Sequence, residues 1–178
     1  MKVIILPIQC LMLCAISQLL FSQTTGNRSV AVTLPVVTLL DIEPTGAITM
    51  NFTAPAEAGF SITAPAANTT KWINYTSAIA PGGLTRRITA SINQVIAGVD
   101  IRLQAAAASG SGGGTLGTPT AQVTLSTAAV NIITGIGGAF TGSGANNGHR
   151  LTISLSISNY AALSRTNTPV IITYTITE

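Results

Sequence analysis

Apolar and polar residues alternate one by one over much of the chain. Ile48, Met50 and Phe52 alternate with Thr49, Asn51 and Thr53, and Val99, Ile101, Leu103 and Ala105 with Asp100, Arg102 and Gln104. Val123 and Leu125 alternate with Gln122, Thr124 and Ser126, and Ile172, Tyr174 and Ile176 with Thr173, Thr175 and Thr177. The clearest run sets Leu151, Ile153, Leu155 and Ile157 against Thr152, Ser154, Ser156 and Ser158. A period of two sends one set of side chains to each face of a strand. A dry aliphatic face backed by a wet hydroxyl face is what an antiparallel sheet requires. No stretch beyond the leader holds a helical period.

Turn signals separate these runs: Pro44-Thr45-Gly46, Pro81-Gly82-Gly83, Ala97-Gly98, the glycines of 109–114, 135–138 and 142–148, and Asn146-Asn147-Gly148. About nine short strands with such punctuation predict one two-sheet antiparallel β-sandwich over residues 30–178. Parallel βαβ units would need helix-length crossovers, and none is present. Residues 105–114 read Ala-Ala-Ala-Ala-Ser-Gly-Ser-Gly-Gly-Gly, the end of a strand running into a flexible loop. No repeat, linker or second domain interrupts the pattern.

The start of the chain differs. Lys2 precedes an apolar stretch over 3–21 broken by Pro7, Gln9, Ser17 and Gln18, and polar residues follow from Ser22. This is a secretory signal over 1–22, too interrupted for a spanning helix of about 20 apolar residues, so no transmembrane segment is expected after cleavage. Both cysteines, Cys10 and Cys14, fall inside it. Leu11-Met12-Leu13 before Cys14 is a poor lipidation context, which wants small residues there. The exported chain then has no disulfide and relies on its core and ladders.

A polar tail over 23–29 leads to Val30, Val32, Leu34 and Val36, alternating with Ala31, Thr33 and Pro35; Val37, Leu39, Leu40 and Ile42 follow in shifted register. Residues 30–42 are either a first strand with Pro35 at a bulge, or a donor strand that completes the sheet of another subunit. The four alternate side chains Val30, Val32, Leu34 and Val36 would contribute roughly 6–10 kcal/mol on burial, before ordering costs.

Charge adds little. Charged residues make up 7% of the chain, eight Lys and Arg (Lys2 among them) against five Asp and Glu. Nucleic-acid binders carry clustered basic residues. Here only Arg86-Arg87 are adjacent, and on a strand they face opposite ways, so a solvated pair and no nucleic-acid partner are expected.

Catalytic chemistry finds few residues to work with. Gly112, Gly114 and Gly117 match a dinucleotide fingerprint in spacing, but no helix pattern follows, and no acidic residue lies between Asp100 and Glu178. The one histidine, His149, follows a tight turn and reads as solvated, without partners for a serine triad or a zinc site. Asp41 and Glu43 read as a polar strand end rather than a glycosidase pair or calcium ligands. Trp72 and Tyr75 occupy opposite faces of one strand, so one of them is expected in the core. The Asn-x-Ser/Thr strings at Asn27, Asn51, Asn68 and Asn74 matter only in a eukaryotic secretory route. No catalytic, cofactor-binding or metal-binding residue is expected, and the chain reads as a non-enzyme.

The leader, the alternating extension, the threonine-rich β domain and the terminal Val170-Ile171-Ile172-Thr173-Tyr174-Thr175-Ile176-Thr177 resemble the spore coat protein U and chaperone–usher pilin families. The chain departs from such pilins in lacking a cysteine near its first strands. The resemblance implies an incomplete immunoglobulin-like sandwich assembled by strand exchange through a periplasmic chaperone. The expected role is a structural or adhesive subunit of a bacterial surface filament or coat, exported and homo-oligomeric. The alternative is a self-contained secreted or surface module that binds glycan or protein.

Overall fold

In a computed structural model of the protein, residues 25–178 are described, and the leader assigned to 1–22 lies outside them. The chain divides into two units, Met1–Leu34 and Pro35–Glu178. Within the first, residues 25–34 take no strand, and Val30, Val32 and Leu34 are 82, 75 and 87% exposed.

The second unit is all-β, antiparallel and sandwich-like. Its strands are β1 (Val37–Glu43), β2 (Asn68–Ala78), β3 (Arg86–Ile92), β4 (Val99–Ser109), β5 (Gly113–Pro119), β6 (Val123–Thr124), β7 (Val130–Phe140), β8 (Gly148–Ile157) and β9 (Ile172–Thr177). They hydrogen-bond in the order β6-β4-β8-β2-β7-β3-β9, with β1 also on β2 and β5 also on β7. The ladder changes partner along β2. Asn68, Lys71, Trp72 and Ile73 pair with β8, whereas Thr76 and Ser77 pair with β7.

The alternation expected for β4 and β8 becomes cross-strand pairing: Ile101 opposite Leu155, Leu103 opposite Ile153, Ala105 opposite Leu151. All but Leu155, which packs half-buried against it, join Ile88, Ala90, Ile132, Ile133 and Ile136 of β3 and β7 in one buried cluster. Directly opposed aliphatic pairs are the basic stabilising contacts of a sheet face.

Three expectations about elements need correction. The glycines of 135–138 do not form a turn but lie inside β7. Gly135 has φ 72, and the β3–β7 register shifts between Arg86 and Ile88, so the glycine serves a bulge that bends the strand. Residues 30–42 do not form one strand, since β1 begins only at Val37. The third concerns Ile48, Met50 and Phe52. Residues 46–52 join no ladder, and the nearest pairing is the isolated bridge between Thr53 and Thr63. Ile48 and Met50 still pack against the core cluster. Alternation records which face is dry; a ladder also needs a neighbouring strand about 4.8 Å away.

Candidate assembly site

Within the second unit, Arg86 holds the start of β1 at Val37. Its guanidinium Nη1 donates to the carbonyl of Val37 at 2.8 Å, to Ser77 Oγ at 2.9 Å and to the carbonyl of Ala78 at 3.3 Å. Nη2 lies 3.6 Å from Glu178 Oε1, just past the end of β9. Arg86 is 3% exposed, which corrects the expectation of a solvated pair; Arg87 does face outward. The sequence held the signal, because Arg86 shares its parity with Ile88, Ala90 and Ile92. Its planar donor fork suits several acceptors at once, which lets it be buried where a lysine would be left under-satisfied.

Beyond Arg86, β9 is the last strand of its ladder and, among the described residues, pairs only with β3. Its Ile172 and Tyr174 are half-buried rather than sealed. Burial pushes the Tyr174 phenol pKa up, so this wall stays uncharged through the neutral range. Beside that edge opens an apolar cleft of about 560 Å³ whose lining includes Ile42, Ile48, Met50, Ile101, Leu155 and Tyr174. A free strand edge next to exposed aliphatic surface is a template for adding a further strand.

One charged group lines the cleft. Lys71 is 7% exposed, and its ammonium donates to the carbonyls of Pro44 at 2.5 Å and Gly46 at 2.6 Å. No carboxylate pairs with it among the described residues, where the ion pairs are Arg86–Glu178 and Arg102–Asp100. Lys71 too could have been found from the pattern, since it shares its face of β2 with Ile73 and Tyr75.

His149 is the largest departure from expectation. It is 0% exposed, not solvated. It continues inward the parity of Leu151 and Ile153, pairing across to Ile73 on β2 and Ala108 on β4. Nδ1 lies 2.8 Å from the carbonyl of Ala106, and Nε2 lies 3.0 Å from the Tyr75 hydroxyl and 3.2 Å from the carbonyl of Leu116. Each ring nitrogen thus faces a backbone carbonyl, and a neutral imidazole has one N–H to offer between them. Tyr75 in turn donates to the carbonyl of Leu116, and the two rings stack with centroids 5.8 Å apart. Tyr75 is thus the core member of the aromatic pair, with Trp72 half-buried on the other face. These contacts tie β2, β4, β5 and β8 together and leave the imidazole no access to an outside substrate.

Burial pulls the His149 pKa below its ordinary value, against the opposing pull of the Ala106 and Leu116 carbonyls. The folded state then binds fewer protons than the unfolded one, in which the histidine titrates near pH 6.5. The stabilisation is complete above that pH and is lost as pH falls toward the lowered folded value. Urea midpoints should therefore be flat from pH 8 to 7 and fall below about 6.5, by at most about 1.4 kcal/mol per pH unit. His149→Gln should flatten the slope between pH 6.5 and 5.5, above the range where carboxylates titrate. An unchanged slope would assign it to other groups.

The remaining candidates stay apart. Asp41 is exposed and accepts from its neighbour's amide, Ile42 N to Oδ1 at 2.7 Å. Gly112, Gly114 and Gly117 run from a loop into β5, with no helix to receive a phosphate. Asn74 is 6% exposed, which closes that Asn-x-Thr string to modification in the folded chain. No helix among the described residues is long and apolar enough to cross a membrane. Neither a family model, nor a curated protein, nor a solved structure matches the chain.

Proposed function

We propose that the protein is an exported, non-enzymatic subunit of a bacterial surface filament or coat, immunoglobulin-like and pilin-like in design. The 30–36 segment of one copy adds as a strand to β9 of the next. One observation carries this. Val30, Val32 and Leu34, an alternating apolar set, are left in solvent without a strand, while β9 has an unpaired edge beside an apolar cleft. Large aliphatic side chains at such exposure are unfavourable unless a partner covers them.

Strand addition suits both halves. The backbone of the added strand supplies hydrogen bonds to the β9 edge, and alternate side chains fill the cleft. Pro35 has no N–H to offer, and its parity places it away from the side chains that would point inward. The one histidine of the chain is buried and contacts a backbone carbonyl, so it is not available to an outside substrate. A periplasmic chaperone that caps the cleft during export fits this reading.

The test compares the chain lacking residues 1–22 with one lacking 1–36, by size-exclusion chromatography and circular dichroism. The longer chain should form oligomers that grow with concentration. The shorter should remain a folded monomer, since β1 starts at Val37 and Arg86 holds that end. A long form that stays monomeric at high concentration, with a short form that unfolds, would leave the self-contained glycan- or protein-binding module standing instead.

A further inference from the structure

We infer that residues 46–52 are a resident cover of the cleft, latched by Lys71 and displaced when the 30–36 segment of a second copy adds to β9. This rests on the assembly reading above and describes how its site is kept before assembly.

The stretch has the composition of a strand and the bonding of a strap. Ile48 and Met50 turn toward the core cluster, yet residues 46–52 take part in no ladder. It is fastened at its ends. Lys71 holds Pro44 and Gly46 at one end, and at the other the Thr53–Thr63 bridge closes with two backbone bonds of 2.9 Å. Gly46, at φ 105 with no atom near its missing side chain, is a pivot that can rotate without a clash.

The packing around the strap is poor. Ala47, Ile48 and Met50 line the 560 Å³ cleft and also an adjoining recess of about 1100 Å³. Side chains bordered by open space on both sides forgo many of the dispersion contacts of a filled core. Lifting the strap therefore gives up two lysine bonds and incomplete apolar contacts, but no ladder. An added strand supplies a ladder, aliphatic side chains and backbone carbonyls that can take over the ammonium. The exchange runs toward the added strand, while in its absence the strap shields Ile101 and Leu155 from water.

Thiol labelling of the chain lacking residues 1–36 tests this directly, because that form contains no cysteine and carries no 30–36 segment of its own to fill the cleft. Met50→Cys and, independently, Ile48→Cys report on the strap, with Leu84→Cys as a control on an exposed loop. A fluorescent peptide of residues 28–38 is added, and its binding is followed by anisotropy alongside maleimide reaction rates. At saturating peptide, position 50 or 48 should react about tenfold faster or more while position 84 stays constant, the signature of a local opening. Lys71→Met should speed peptide uptake by about tenfold, since the closed fraction no longer holds back the competent one. Peptide that binds without changing either strap position overturns the cover and leaves the assembly reading intact. Unchanged uptake by Lys71→Met overturns the latch. No peptide binding at all overturns both the cover and assembly.

Discussion

Replacing His149 by alanine is expected to lower the stability of the folded chain by about 3 kcal/mol, or roughly 10 °C in thermal midpoint. The imidazole is completely buried and bridges the Ala106 carbonyl and the Tyr75 hydroxyl. Alanine takes away the partner of that carbonyl, leaves the buried Tyr75 without the ring that stacks on it, and opens a void. Each belongs to the short list of causes of large destabilisation. Arg150→Ala, one residue on and pointing outward, is the matched control and should change stability by less than about 0.5 kcal/mol. Chemical denaturation of both variants at pH 7.5, where the histidine is neutral, checks this. Equal, small effects at the two positions would mean that His149 is not in the core.

Leu34→Asp should do the reverse, leaving the monomer untouched and abolishing assembly. Leu34 is 87% exposed, so the folded monomer has nothing to lose there, and its circular dichroism and thermal midpoint should not move. In a strand added to β9, the same position would face the apolar cleft, and a carboxylate there would be buried without a partner. A penalty of about 4 kcal/mol weakens association roughly a thousandfold. Thr33→Asp sits on the opposite parity and should have little effect, since its side chain would face solvent. Sedimentation of the two variants over a concentration series separates these outcomes. Equal effects at 33 and 34 would mean that the segment does not act as a strand in assembly.

The two substitutions sit at opposite ends of what can be read from a sequence. The alternation of β4, β8 and β9 was legible because period two is local: each residue's face follows from its neighbours two positions away. The same rule carried further than it was taken. His149 lies on the inward parity of Leu151 and Ile153, Lys71 on that of Ile73 and Tyr75, and Arg86 on that of Ile88 and Ala90. The tight turn before His149 and the charge of the Arg86-Arg87 pair argued for solvent. Inside the fold they are buried because backbone carbonyls from elsewhere in the chain satisfy them: Ala106 for His149, Pro44 and Gly46 for Lys71, Val37 and Ala78 for Arg86. Those acceptors lie 8 to 49 residues away in the chain, and no local pattern announces them.

By itself the sequence determined the all-β class, the antiparallel alternation and which faces are dry, since these rest on spacing between near neighbours. It also singled out Val30, Val32, Leu34 and Val36 as an apolar set ahead of the main fold. Only the tertiary structure decided that β1 begins at Val37, that β2 changes partner along its length, that β9 is left with a free edge and that Ile48 and Met50 line a cleft without joining a ladder. The physical reason is that burial preference is a property of a side chain and its position on the pleat. A hydrogen-bonded neighbour is a property of two distant segments meeting, and it depends on which edges the rest of the chain has already taken.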